Sequence, residues 1–532
     1  MKPHVIIFVG TTHDIHWYNR PSGAYKLATY LRQNGFRVQV IINCTSLTRA
    51  GYQQVFDTYG SEDLLWIGFT SNWLSGKKNE DYYNQWDTSS DLIISEQNLS
   101  DEWFFVDVTN REEYYSCVYS TSMFNDIWNM AKKYYRHCQL IFGGTSLNRN
   151  EYFSPKYLVP EAIYIKNNAE VPVLELTKRL SHCNLNLDNL PNNDEYNYGD
   201  FKTSFIDYQD TDHIDSNEWL PIEISRGCAF NCAFCNYDMK NVTDNYVDSK
   251  TLKENIIRNY ERWGTTKFVI MDDLYNDNFD KVRDLYENCW SQLPFKPELA
   301  GYLRLDLLWK RPDQAQLLLD SGFKCGSFGI ETLNDKAGKA VGKGLGKKRI
   351  LETLEMLKEV WKDEILIHAF FIAGLPHENY NSLIDTVTWT KSTDLVHGII
   401  WQWLELENIR VINKNVDKIS ILGQNPQKYG YQFLNNTDWV NDVGLTLEQC
   451  KEINKIGNQV KPNTFFTVYA DQRALGRTHS DLLKGDFMEY LNWVKAVKLS
   501  AVTRRTLKII TPTKRERLQR QLLLNQINSI CH

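Results

Sequence analysis

Three cysteines stand within eight residues in the stretch ISRGCAFNCAFCNYD, at positions 228, 232 and 235, with the uneven spacing Cys-x3-Cys-x2-Cys. Three thiols cannot close into disulfides without leaving one over, and three thiolates do not complete a tetrahedral zinc site. Iron–sulfur clusters are held by Cys thiolates, usually four. A loop with three leaves one iron of a [4Fe–4S] cluster without a protein ligand, open to a bidentate small molecule. The competing reading is structural: three buried thiols, or a zinc loop completed by a distant His.

The elements around this run say where it must sit. Strands are predicted over 221–225, 267–273, 298–305, 325–331, 365–374 and 398–406, with helices over 250–263, 278–292, 311–321, 347–362 and 379–391. Six strand–helix units in succession predict a full or partial (β/α) barrel, whose chemistry lies at the C-terminal ends of the strands. The cysteine run follows the first of these strands directly and falls on a loop at that mouth.

Upstream, strands over 5–10, 36–42, 63–71 and 139–146 alternate with helices over 22–35 and around 121–136, and 161–180 reads as one more strand and helix. Short apolar strands separated by helices predict a doubly wound parallel sheet, a Rossmann-like α/β domain. The polar, aromatic stretch from Trp73 to Tyr119 is an insertion. The Asn- and Asp-rich stretch over 183–220 has little period and reads as the interdomain connection. The expected division is therefore 1–183, a linker over 184–217, a barrel over 218–410, and a mainly helical region over 411–532 with helices over 445–459 and 485–499.

A chain of 532 residues is too long for one compact core, which agrees with that division. The net charge of −6 gives no general attraction to nucleic acid or anionic membranes. No run reaches the ~18 apolar residues a membrane span requires, and the N-terminus reads as a strand. The other eight cysteines are scattered without pairing patterns, as suits a reducing cytoplasm.

Several segments appear in a telling order. Phe234 stands just before the third cysteine; MDDLYNDN (271–278) and YLRLDLL (302–308) end the second and third barrel strands. GFKCGSFGIET (322–332) and FIAGLPHEN (371–379) end the fourth and fifth. In this order the stretch resembles the radical S-adenosylmethionine (SAM) superfamily. His377 and Asn379 replace the Gly and Thr usual in the last motif. The resemblance implies a [4Fe–4S] cluster on Cys228, Cys232 and Cys235, whose open iron binds SAM. An electron from the cluster then cleaves SAM to methionine and a 5′-deoxyadenosyl radical. It offers Phe234, Asp272, Asp273, Arg304, Glu331 and Gly374 as cofactor-binding residues. An ion pair at a strand end is the alternative for each charged one, and a turn glycine the alternative for Gly374.

SGAYKLATYLRQNGFRVQVI, followed by IFGGTSLN, resembles the cobalamin-binding-like domain that precedes many radical SAM domains. That resemblance offers Ser71, Gly143 and Gly144 to cobalamin. The departures are that Asp14-Ile-His16-Trp-Tyr-Asn lacks the family's final Gly, and that the stretch before the Gly pair is longer than usual. His13 and His16 then read as ordinary loop histidines, and cobalamin binding stays open. Methylthiotransferases, with a second cluster on the N-terminal domain, fit poorly because Cys44, Cys117 and Cys138 do not fall at matching strand ends. The implied activity is functionalisation of an unactivated carbon: methyl transfer with cobalamin, rearrangement or oxidation without it. A non-catalytic metal-binding protein that keeps the fold is the contrasting expectation. The implied partners are a substrate the sequence does not identify and an electron donor such as flavodoxin or ferredoxin. The basic tail over 503–524 leaves nucleic acid open, a solvated helix face being its favoured reading.

Overall fold

The computed structural model describes residues 1–9, 21–42, 44, 47, 49–70, 74–76, 117–119, 121–144, 159–184, 199–212, 214, 216, 219–237, 239–243, 245–406, 420–435 and 437–458. Ser71, His13, His16, most of the insertion, the helix expected over 485–499 and the basic tail lie outside them. Among the described residues, Met1–Glu218 with Asn259–Thr265 form one compact unit. Trp219–Arg258 and the chain from Thr266 onward form the other.

The first unit is built on five parallel strands: β1 (Val5–Val9), β2 (Val38–Ile42), β3 (Trp66–Thr70), β6 (Gln139–Gly144) and β7 (Ile163–Lys166). Their order is β2-β1-β3-β6-β7, and a short parallel pair, β4 (Leu74–Gly76) and β5 (Cys117–Tyr119), stands apart. This is the doubly wound 2-1-3-4-5 arrangement, whose switch point lies between the first and third strands. Four strands line up an aromatic row: Phe8 stacks on Phe69 at 5.1 Å, Phe69 on Phe142 at 5.8 Å, and Phe142 on Tyr164 at 5.4 Å.

Helices α1 (Ser22–Gln33), α2 (Arg49–Tyr59), α3 (Thr121–Lys132) and α4 (Glu170–Ser181) cover the sheet. The aromatic row takes α2 through Tyr52 and Phe56, and α3 through Phe124. Trp66, an odd number of residues from Phe69, points to the other face and donates its indole N–H to Thr177 of α4 at 3.0 Å. Helix α2 has no counterpart in the sequence reading.

The second unit is a six-stranded parallel sheet in strict chain order: β8 (Trp219–Ile222), β9 (Lys267–Ile270), β10 (Glu298–Leu303), β11 (Phe323–Glu331), β12 (Leu366–Ala373) and β13 (Gly398–Trp403). The order is that of a partial (β/α)6 barrel, as expected. Helices α5 (Ser249–Trp263), α6 (Phe279–Asn288), α7 (Leu305–Lys310), α8 (Asp313–Asp320), α9 (Asp335–Ala340), α10 (Lys347–Trp361) and α11 (Tyr380–Ser392) connect the strands. Asparagines start three of them. Asn278 caps α6, Asn334 caps α9, and Asn379 forms a capping box with Ser382 on α11.

The chain after β13 returns to the sheet. Helix α12 (Ile421–Gln424), a hairpin of β14 (Gln432–Phe433) and β15 (Trp439–Val440), and α13 (Leu447–Asn458) complete the described part. Asn458 closes the edge of β13: its amide oxygen accepts from the Trp401 N–H at 2.8 Å, and its amide nitrogen donates to the Trp401 carbonyl at 3.1 Å. No helix of the described residues is long and apolar enough to cross a membrane.

Candidate active site

Strand β8 ends at Ile222, and the chain then enters the cysteine loop under tight constraint. The Ile224 N–H donates to Asp272 Oδ1 at 2.8 Å and the Ser225 hydroxyl to Oδ2 at 2.6 Å. Asp272 is buried, and burial pushes its carboxyl up to about 6 against the pull of Lys281 and these donors. Both oxygens of Asp272 thus serve the loop that carries the cysteines. Sequence reasoning offered it as a SAM contact; the geometry gives it a positioning task.

The loop doubles back so that Cys228 is held from both sides. Its N–H donates to the Met239 carbonyl at 2.9 Å, and its carbonyl accepts from the Val242 N–H at 3.1 Å. The tight return needs Gly227: φ is +104°, and a Cβ there would lie 2.5 Å from Cβ of Val242. The Cys235 N–H donates to the Cys232 carbonyl at 3.1 Å, closing a turn between the second and third thiols. The Ala233 N–H reaches the Val341 carbonyl at 3.1 Å, and the Ala233 carbonyl accepts from Leu422 N–H at 2.9 Å. The loop is therefore tied both to the chain after α9 and to α12.

All three cysteines are free and half-buried, as is Phe234 among them. Burial pushes the thiols of Cys228 and Cys235 up, and the negative charge of Asp273 and of the neighbouring thiolates adds to it. The same carboxylate raises Tyr302 of β10, second to burial. Asp273 is exposed, so of the two expected aspartates it is the one that presents charge toward the thiols. Across the sheet, Tyr302, Ser327 and His368 occupy one register row, with the Ser327 hydroxyl 3.4 Å from His368 Nδ1.

Arg304 follows β10 and is only 6% exposed. Asn276 clamps its backbone, accepting from the Arg304 N–H at 2.8 Å and donating to its carbonyl at 3.1 Å. The guanidinium grips Asp306 through Nε at 2.8 Å and Nη2 at 3.0 Å, lies 3.7 Å over the Phe230 ring, and donates from Nη1 to Cys232 Sγ at 3.4 Å.

Glu331 ends β11 at a bulge and holds φ at +67°, a region unusual for a residue with a side chain. Lys343 pairs with it at 3.3 Å and also donates to the Gly329 carbonyl at 2.9 Å. Gly374, at φ +100°, has protein packed against it: a Cβ would come 2.6 Å from the Trp439 ring and 2.9 Å from Cys450 Sγ. Tyr431 donates its hydroxyl to the Gly374 carbonyl at 2.6 Å. Packing by the segment from Tyr431 to Cys450 requires the glycine.

The structure thus gathers Cys228, Cys232, Cys235, Asp273 and Arg304 around one loop. Gly143 and Gly144 end β6 in the first unit, paired with Ile165 and Lys166. Among the described residues, a Cβ on Gly143 would meet the Ile165 carbonyl at 3.7 Å, an ordinary contact. Sequence reasoning missed Phe230 and Lys343 and gave no separate role to Asn276 and Glu378, although these two lie within the motifs MDDLYNDN and FIAGLPHEN. Lys343, between glycines in Gly-Lys-Gly-Leu-Gly, also carries a local signal.

Residues 222–390 match the family model of the Radical SAM superfamily. The chain carries a radical SAM domain, and its cysteine loop lies inside that match. A stretch of 184 residues, 32% of this chain, is 25% identical to an uncharacterized methyltransferase, PH0819, of Pyrococcus horikoshii. The match spans about a third of that protein, 36% of its length.

Among solved structures, the methyltransferase TsrM from Kitasatospora setae, bound to tryptophan and a SAM analog, superposes with a TM-score of 0.53 at 12% identity. That match covers 85% of this chain and 83% of TsrM. The cobalamin-dependent radical enzyme OxsB, with aqua-cobalamin and SAM bound, gives a TM-score of 0.50 at 13% identity over 99% of this chain and 71% of OxsB. At these identities the likeness is one of fold: a Rossmann-like domain with a radical SAM domain.

Proposed function

We propose that this chain is a radical SAM enzyme that functionalises an unactivated carbon, with methyl transfer as the reaction when cobalamin is present. The observation that carries the reading is the cysteine loop. Three half-buried thiols stand at the C-terminal end of the first strand of a six-stranded parallel sheet, inside the family match. Cys228, Cys232 and Cys235 fit a [4Fe–4S] cluster by donor chemistry, three thiolates leaving one iron for SAM. Such a cluster, when bound, supplies the single electron that cleaves SAM reductively. The protein's own part is to hold the thiols, exclude water from them, and present charge. Asp273 and Glu331 are the acids this reading assigns to SAM, Glu331 being paired with Lys343.

Residues 1–183 supply the cobalamin-binding-like domain of this reading and 218–410 the radical SAM core. In the first, Gly143 and Gly144 at the C-terminal end of β6 are the residues this reading assigns to a bulky ligand, because a backbone without Cβ allows close approach. Cobalamin, when bound, supplies a carrier for the methyl group. The likeness to TsrM and OxsB, both described with cobalamin, supports this half of the proposal. A cytoplasmic setting and an electron donor such as flavodoxin or ferredoxin go with it.

The test is anaerobic reconstitution followed by iron, zinc and cobalt analysis and a dithionite-driven SAM cleavage assay. About four irons per chain with 5′-deoxyadenosine formation is the expected result, and retained cobalt supports methyl transfer. Zinc without iron, and no cleavage, would overturn the reading.

A further inference from the structure

Arg304 entered as a candidate for contact with SAM, but the surface of its guanidinium that could clamp a carboxylate is already taken. The Nε/Nη2 edge, the fork that matches a carboxylate, is bidentate to Asp306 at 2.8 and 3.0 Å. The flat face rests on Phe230 at 3.7 Å. What remains is Nη1, and it donates to Cys232 Sγ at 3.4 Å.

We infer that Arg304 is a positioning and tuning residue for the cluster rather than a ligand of SAM, an assignment that rests on the cluster reading above. Hydrogen bonds to ligand sulfurs are among the determinants of a cluster's reduction potential. Reduction adds one negative charge, part of which falls on the cysteine sulfurs. A cationic N–H donor on one of them stabilises the reduced form more than the oxidised form and raises the potential.

Every neighbour of Arg304 contributes to holding that donor in place. Asn276 clamps the backbone on both sides of the residue, at 2.8 and 3.1 Å. Asp306 fixes the rotation of the guanidinium and offsets its net charge, so Arg304 acts on Cys232 through the directed N–H···S contact of its side chain. Nη2 also lies 3.5 Å from the Gly342 carbonyl, and Gly342 Cα is turned toward the Cys232 backbone, a Cβ there lying 3.9 Å from Cys232 Cα. The Cys235 sulfur accepts from a neutral backbone donor instead, the Tyr237 N–H at 3.4 Å.

The experiment is an EPR-monitored redox titration of the reconstituted protein without SAM, with dithionite as the one-electron donor, on wild type, Arg304→Gln and Arg304→Lys. Iron per chain is measured on each. The expected result is an iron content equal to wild type and a reduction equilibrium about tenfold less favourable, ~59 mV for one electron. Arg304→Lys keeps the charge and loses the fork, so its potential falls too. An unchanged potential in either iron-replete variant overturns the inference. Loss of iron from both variants also overturns it, because Arg304 would then serve only to fold the loop. If the wild type itself takes up no cluster, the functional proposal fails first and this assignment falls with it.

Discussion

Glu378→Gln should remove a pH dependence of stability that the wild type carries. Glu378 sits in the turn after β12, 2% exposed, where its Oε2 accepts from the N–H groups of Gly374 at 3.1 Å and Leu375 at 2.9 Å. Its Oε1 accepts from the Thr332 hydroxyl at 2.5 Å. Three donors favour the carboxylate, but burial opposes it more strongly and pushes the carboxyl from the ordinary 4.5 up to about 8.

An acid whose value rises on folding binds a proton as the chain folds. Its penalty is absent below pH 4.5, grows as pH rises toward 8, and levels off above. At ~1.4 kcal/mol per pH unit the full span comes to about 5 kcal/mol, of which about 3–4 kcal/mol is lost between pH 5 and 8. For a unit of this size, that is a fall in Tm of roughly 10 °C. In the variant, the amide oxygen can accept from Gly374 and Leu375 and the amide nitrogen can donate to Thr332, so the neutral form is mimicked. Thermal unfolding of both proteins from pH 5 to 8.5 checks this. Their Tm values should nearly coincide at pH 5, and the variant should be the more stable at pH 8. Parallel profiles would refute the reasoning, because they would mean that the three donors outweigh burial and Glu378 is ionised throughout.

Each of Cys228→Ser, Cys232→Ser and Cys235→Ser should lower the iron content and abolish 5′-deoxyadenosine formation; a variant with full iron and activity would remove that residue from the ligand set. Burial holds the thiols of Cys228 and Cys235 above the ordinary range, and iron displaces their protons. The rate of cluster assembly should therefore rise from pH 7 to 9, and a flat profile in an iron-uptake assay would contradict it. Gly374→Ala would drive a methyl group against Trp439 and Cys450 at a φ of +100°. About 2–4 kcal/mol of stability should be lost, read as a drop in Tm of several degrees.

What the sequence revealed and what it hid divide along the range of the interactions. The six barrel strands are legible because each is a short apolar run between helices of regular period. Their ends are less so: the apolar run predicts a strand over 221–225, yet β8 runs over Trp219–Ile222, because Ile224 and Ser225 turn to meet Asp272, some fifty residues on. Helix α2 carries a buried stripe of Tyr52, Val55 and Phe56, but Gly51 and its polar neighbours blur the period. Helices α7 and α9, six residues each, are too short to show a period at all.

The site follows the same rule. The cysteine spacing is local chemistry and could be read directly. An aspartate at a strand end looks the same whether it faces a ligand or pins the adjacent chain. Only the fold separates Asp273, exposed and acting on the thiols, from Asp272, buried and bonded to the loop backbone. The pairing of Arg304 with Asp306 is visible two residues away. Its contact with Cys232, 72 residues back, depends on where β10 ends relative to the loop after β8. That contact converts Arg304 from a carboxylate clamp into a donor to sulfur, which changes the measurement that reports on it from SAM affinity to reduction potential.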